Sequence, residues 1–196
     1  MRIIGITGGI GSGKSAVLNI LQNEYNAKVY EADKLVHDLI KKGMPLYESY
    51  ISLLGKDILD ADQELDHKKI AGIVFLDKEK LAALNDLVHP AVKEYILSLI
   101  KKEKQNGTKV FVIEAALLIQ DGYKKICDEI WFIHVPKKVR IERLIESRGY
   151  TRDKCETIIN KQPPSSYFYK NADYVIENDG NFIELSEKIG DLLQKS

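Results

Sequence analysis

Gly8-Gly9-Ile10-Gly11-Ser12-Gly13-Lys14-Ser15 decides how this 196-residue chain is read. The stretch fits a glycine, four unrestricted residues and then Gly-Lys-Ser, the pattern of a loop that cradles phosphate groups. Upstream, Ile3, Ile4 and Ile6 form a β-branched apolar run that suits a buried strand. Downstream, Val17, Leu18 and Leu21 make an apolar stripe at helical spacing. Strand, glycine turn and helix is the geometry such a loop requires. The glycines admit unusual dihedrals and let backbone amides come close to phosphate oxygens. The positive end of the following helix adds field of the right sign. On this reading Gly9, Gly11, Ser12, Gly13, Lys14, Ser15 and Ala16 hold the phosphates of a nucleoside triphosphate. Lys14 reaches the terminal phosphates, and the Ser15 hydroxyl ligates magnesium.

Composition bounds what surrounds the loop. The length suits one domain with a sizeable core and room for an inserted subdomain. Apolar residues at 44% and charged residues at 30% are the balance of a globular protein. Lys and Arg total 29, as do Asp and Glu, so no global field recruits nucleic acid or membrane. The apolar runs are strand-length, well short of the ~20 residues that span a bilayer. The first strand starts almost at the first residue, which leaves no room for a signal peptide. Cys127 and Cys155 form neither a metal-ligand spacing nor a disulfide framework. A cytoplasmic enzyme, monomeric and acting on small molecules, is the expectation.

Outward from the first helix, Ala27-Lys28-Val29-Tyr30 reads as a second strand ending at Glu31-Ala32-Asp33. In open α/β sheets the carboxyl ends of strands line the ligand crevice, so Asp33 is expected on the edge that carries the loop. It is either the N-cap of the helix begun by Leu35, Val36, Leu39 and Ile40, or a general base for an attacking hydroxyl, or both. Residues 34 to about 106 read as almost wholly helical, with no convincing strand. Pro45 suits a first helical turn, Gly55 a stop, and Asp66 and Asp77 two further caps. The stripe Leu81, Leu84, Leu87 and Val88 is predicted to halt at His89-Pro90, because the residue before proline is pushed out of helix. A second stripe follows at Val92, Tyr95, Ile96, Leu99 and Ile100. The acidic run Asp60-Ala61-Asp62-Gln63-Glu64 lacks the glycine and glutamate of a calcium loop and reads as a solvated turn.

After a turn at Asn106-Gly107, Val110-Phe111-Val112-Ile113 makes a strand ending at Glu114. That acid either helps hold magnesium through water or simply caps a strand end. Ile130 to Val135 form a fourth strand, in which Trp131 and His134 read as packing residues. Pro136 opens a helix with Arg140 and Arg143 on one face and Arg148 at its end. These are the planar cations that a phosphoryl-transferring lid supplies, or a basic face paired with Glu142 and Glu146. Thr151 caps a helix ending before Pro163-Pro164, and Tyr174-Val175-Ile176 is a short last strand before Asn178-Asp179-Gly180 and an amphipathic closing helix.

Thr7 through Ser15, Glu31-Ala32-Asp33 and Leu87-Val88-His89-Pro90 together resemble the dephospho-coenzyme A kinase family. Ala115-Ala116-Leu117-Leu118, Arg143, Gln162, Ala172-Asp173 and Asn178-Asp179-Gly180 extend the likeness over nearly the whole chain. The resemblance implies transfer of the ATP γ-phosphoryl group to the ribose 3′-hydroxyl of dephospho-CoA, with magnesium, giving CoA and ADP. It implies a phosphate-loop NTPase fold, three layers α/β/α around a five-stranded parallel sheet. Within one kinase domain, the core would span about 1–33, 107–136 and 172–196. A helical CoA-binding region would span about 34–106, and a lid about 137–171. By similarity Asp33 is the catalytic carboxylate, with Lys14 and Arg143 as catalytic partners. Arg143 and Asn178 lie on the ATP side, and Asp33, His89 and Leu117 on the dephospho-CoA side. The chain departs from the family at Ala116, where Pro is usual, at Gln120, where Glu is usual, and near His67, where Arg is common. The second lid arginine is displaced by one residue at Ser147-Arg148-Gly149. The competing readings are another small-metabolite or nucleoside kinase, and a nucleotide switch. For the switch, the guanine-reading Asn-Lys-x-Asp string is missing, since Asn160-Lys161 leads into Gln162-Pro163.

Overall fold

The computed structural model describes residues 1–195. Five strands form one parallel sheet: β1 (Arg2–Thr7), β2 (Lys28–Glu31), β3 (Val110–Glu114), β4 (Glu129–His134) and β5 (Tyr174–Glu177). Their order is β2-β3-β1-β4-β5, which puts β1 at the centre. Ile4 is opposite both Val112 on β3 and Glu129 on β4. The chain thus places β2 and β3 to one side of β1 and β4 and β5 to the other. A switch of this kind opens a crevice at the carboxyl ends of the strands, where the glycine loop follows β1.

Successive residues of a strand face opposite sides of its sheet. On one side Ile4 and Ile6 join Val112, Trp131 and Ile133 in a core with α1 (Lys14–Asn23) and α9 (Phe182–Gln194). On the other side Gly5 has no space for a side chain, since an added Cβ would lie 2.7 Å from Ile130 Cδ1 and 2.9 Å from Cys127 Sγ. Burial on both faces is why these strands read as continuous apolar runs rather than alternations. At the start of β1 the Arg2 guanidinium pairs with buried Glu129 (Nε to Oε1 2.8 Å, Nη2 to Oε2 2.9 Å). It also donates to the carbonyls of Leu192 and Leu193, both at 3.1 Å, while Trp131 Nε1 donates to Glu129 Oε1 at 2.9 Å. A desolvated carboxylate is tolerable only with such partners.

Two compact units divide the chain, a sheet unit of Met1–Tyr30 and the residues from Gly107 on, and a helical unit of Glu31–Asn106. The helical unit holds α2 (Ala32–Leu39), α3 (Tyr47–Leu54), a 3₁₀ turn at Lys56–Ile58, α4 (His67–Leu76) and α5 (Lys78–Gln105). The expected caps form: Asp66 accepts from the amides of Lys68 and Lys69, and Asp77 from those of Glu79 and Lys80. Gly55 ends α3 at a φ of 90°. Asp60 Oδ1 accepts from the amides of Asp62 and Glu64, each at 2.9 Å, so the acidic run is a turn closed on itself.

Three expectations within this unit fail, the first at Pro45, which precedes the Leu46 N-cap of α3 and so lies outside its first turn. α5 does not halt at His89-Pro90 but runs 28 residues through it. Proline forfeits a helical hydrogen bond and crowds the preceding turn, at about 3 kcal/mol. Leu84, Val88, Val92, Ile96 and Ile100, four residues apart on either side, are all buried. Each contributes about 1.5–3 kcal/mol by leaving water, which outweighs the break. Asp33 is not the N-cap of α2. Glu31 holds that position without a side-chain cap, the helix beginning directly at the end of β2, and Asp33 lies in its first turn. Its carboxylate there still meets the positive end of the helix.

In the sheet unit, α6 (Lys137–Arg148) ends at Gly149, with φ of 62°. Thr151 Oγ1 caps α7 (Arg152–Asn160) through the Lys154 amide. The two helices meet around Ile141, Leu144, Cys155 and Ile159. A further helix unread in the sequence, α8 (Ser165–Asn171), stacks Phe168 on Phe132 of β4. Trp131 is fully buried and His134 pairs its Nδ1 with Glu177 Oε2 at 2.7 Å, so both are packing residues as expected. No helix among the described residues is long and apolar enough to cross a membrane.

Candidate active site

The loop between β1 and α1 is shaped by glycines at Gly11 and Gly13, whose φ values of 79° and 85° disfavour any Cβ. The Lys14 ammonium folds back over it, donating to the Gly8 carbonyl at 2.9 Å. It also lies 3.5 Å from Oε1 of Glu114, the buried last residue of β3, which is opposite Ile6 of β1. Ser15 is exposed in the first turn of α1, its neighbour Ala16 half-buried. The hydroxyls of Thr7 and Ser12 are buried here without a hydrogen-bond partner among the described residues. Such an atom costs free energy until an oxygen or amide meets it.

Chain-distant residues close on the same loop. Asn178, buried just beyond β5, donates Nδ2–H to the Ser12 carbonyl at 2.9 Å. Its own amide donates to the His134 carbonyl at 2.9 Å, and its carbonyl accepts from Arg143 Nη2 at 2.8 Å. Arg143 Nη1 lies 3.5 Å from the Ser12 carbonyl. Gly13 must be glycine here for a second reason, since an added Cβ would sit 2.2 Å from Asn178 Nδ2. Ser12, Gly13, Arg143 and Asn178 are therefore one assembly: cationic, amide-lined, and open at Ser15. Such an assembly has the chemistry to receive an anion.

Against known proteins, the family model described as dephospho-CoA kinase matches residues 2–184. This chain belongs to the dephospho-CoA kinase family. A dephospho-CoA kinase of Carboxydothermus hydrogenoformans is 38% identical over 195 residues, covering 100% of this chain and 94% of that one. That of Fusobacterium nucleatum is 41% identical over 189 residues, covering 96% and 95%. The solved dephospho-CoA kinase of Campylobacter jejuni superposes with a TM-score of 0.75 across 100% of this chain and 97% of its own, at 23% identity, which speaks for the fold. Membership makes the chain an ATP-dependent kinase on a phosphate-loop sheet.

The residues expected to carry the kinase chemistry divide between the two units. Gly9 through Ala16, Arg143, Asn178 and Leu117 belong to the sheet unit, Leu117 lying exposed in the turn after β3. Asp33, exposed in the first turn of α2, and His89, half-buried in mid-α5, belong to the helical unit. Arg148 is exposed at the end of α6. Arg140, read as a lid cation, instead donates through Nε to the carbonyl of Ile10 in the loop at 2.7 Å. Gln162 entered the sequence reading only as part of the family likeness, with no contact assigned, and its Oε1 accepts from the Ile10 amide at 3.0 Å.

No cluster of three or more His, Cys, Asp or Glu forms among the described residues. The donors at the loop are few and hard, the Ser15 hydroxyl and the Glu114 carboxylate. This set fits magnesium, which keeps several waters and shares phosphate oxygens instead of taking a full protein cage. The Cys127 thiol is chemically quiet. Burial, then the charge of Asp128, pushes Cys127 up to about 12.

Proposed function

We propose that the chain transfers the ATP γ-phosphoryl group to the ribose 3′-hydroxyl of dephospho-CoA, with the roles divided as follows. Loop amides and Lys14 hold the β- and γ-phosphates, displacing the contacts of Lys14 with Gly8 and Glu114. Arg143 adds a fixed planar charge beside them. Ser15, with Glu114 through water, would hold magnesium, which when bound neutralises charge on the transferring phosphates. Asp33 orients the ribose hydroxyl and takes its proton. His89 and Leu117 contact dephospho-CoA. Residues about 34–106 form the CoA-binding region, and about 137–171 the lid that excludes water so that ATP is not hydrolysed. The enzyme works as a monomer in the cytoplasm.

One observation carries the reading: a lysine ammonium folded over a glycine loop that a half-buried arginine and a buried asparagine hold in shape. The transition state of phosphoryl transfer is loose, so charge and position are most of what a protein supplies. ADP release coupled to a dye readout, with ATP, magnesium and a panel of hydroxyl acceptors, tests it. Fast turnover is expected with dephospho-CoA alone, and equal rates with nucleosides would overturn the substrate assignment. Asp33→Asn is expected to lower kcat at least ~100-fold with ATP affinity little changed, the scale of a lost general base. Near-normal turnover in that variant removes Asp33 from the role.

A further inference from the structure

Ile10 occupies one of the unrestricted positions of the loop motif, yet it is held from three directions. Its amide donates to Gln162 Oε1 at 3.0 Å, and its carbonyl accepts from Arg140 Nε at 2.7 Å. Arg140 Nη2 in turn donates to the same Gln162 oxygen at 2.5 Å, closing a ring around one backbone residue. The Ile10 side chain packs against Ile141, Leu144, Cys155 and Ile159, the small core between α6 and α7. The guanidinium lies so close over Gly9 that an added Cβ would fall 2.3 Å from Nη2, and at Gly11 it would fall 2.9 Å from the Arg140 carbonyl. The glycines thus make room for Arg140 as well as for phosphate.

We infer that Arg140 and Gln162 are positioning residues that act on catalysis through Ile10. They pin the tip of the phosphate loop from outside, so the amides beyond it stay turned toward the triphosphate. This rests on the loop holding the triphosphate, as proposed above. It gives Arg140 and Arg143 different partners: Arg140 holds Ile10 and Gln162 through Nε and Nη2, whereas Arg143 reaches the carbonyls of Ser12 and Asn178. The α6–α7 pair is consequently fastened to the loop at Ile10.

The first test is amide hydrogen exchange of Ile10 in the protein without substrates, which is independent of what the enzyme phosphorylates. Gln162→Met keeps length and removes the acceptor, and Ile10 exchange is expected to accelerate about ten-fold, the scale of one net hydrogen bond to a charged network. The KM for ATP is expected to rise by a similar factor, with the KM for dephospho-CoA unchanged. Arg140→Lys keeps the charge but lacks the fork that reaches two acceptors. It is expected to be as impaired toward ATP as Arg140→Met. Rescue by lysine would make Arg140 a phosphate ligand and overturn the inference, as would unchanged Ile10 exchange in Gln162→Met. Faster exchange with an unaltered KM for ATP would overturn the link to catalysis. A thermal cycle covers poorly folding variants: Gly9→Ala should lower Tm in the parent chain and far less beside Arg140→Ala. Equal losses in both would refute the close packing on which the inference rests.

Discussion

Asn178→Ala is the perturbation with the clearest expected magnitude. The Asn178 side chain is 6% exposed and gives its Nδ2–H to the Ser12 carbonyl at 2.9 Å. Without it that carbonyl keeps only the Arg143 contact at 3.5 Å, too long to replace the bond. A buried acceptor left unpaired costs about 1–3 kcal/mol. At about 2 kcal/mol, a chain of this length loses roughly 4–8 °C of Tm. If ATP must rebuild the loop as it binds, the same energy weakens ATP binding about thirty-fold. Thermal denaturation by circular dichroism gives the first number and calorimetric titration with ATP the second. Asn178→Asp should be worse than alanine, because a carboxylate would face the Ser12 carbonyl oxygen. A Tm within about 1 °C of the parent together with unchanged ATP affinity would refute the reasoning.

Other outcomes follow from the same geometry. Lys14→Ala is expected to lower kcat/KM for ATP by at least ~100-fold, the scale of one lost charge-stabilising donor, in steady-state assays at fixed dephospho-CoA. An unchanged value would remove the loop from catalysis. Burial, then Asp128, raises Cys127 from 9.0 to about 12, and burial, then Asp121, raises Tyr123 from 10.0 to about 12. The folded chain then keeps protons that the unfolded chain releases, so stability holds below about pH 9 and declines toward about pH 12. Urea midpoints across that range should fall, and the fall should be shallower in Cys127→Ala. Alkylation of Cys127 at pH 8 in the native protein should be slow for the same reason.

Local chemistry was legible in the sequence and long-range arrangement was not. The loop, its flanking strand and helix, and the caps at Asp66, Asp77 and Thr151 each depend on residues within a few positions of one another. All were readable. Pro90 misled because its local penalty is set against burial of a stripe that extends on both sides, which no window around His89-Pro90 weighs. Of the two roles open to Asp33, the cap fails because β2 passes into α2 with no intervening turn, which composition does not mark. The hold of Asn178 on Ser12, and of Gln162 on Ile10, joins positions more than a hundred residues apart. Arg140 could be seen as a cation, but its partner is a backbone carbonyl, and backbone atoms carry no sequence signature.

The place of β1 at the middle of the sheet has a consequence for how the protein is made. β1 leaves the ribosome early, but its neighbours begin at Val110 and Glu129. At 5–20 residues per second, roughly 5–20 s pass before the first of them exists. Throughout that interval Ile3, Ile4 and Ile6 form a nascent strand with neither edge paired, the kind of segment that chaperones bind and aggregates recruit. The helical unit, whose packing is complete by Asn106, is the part that can fold while the strand waits.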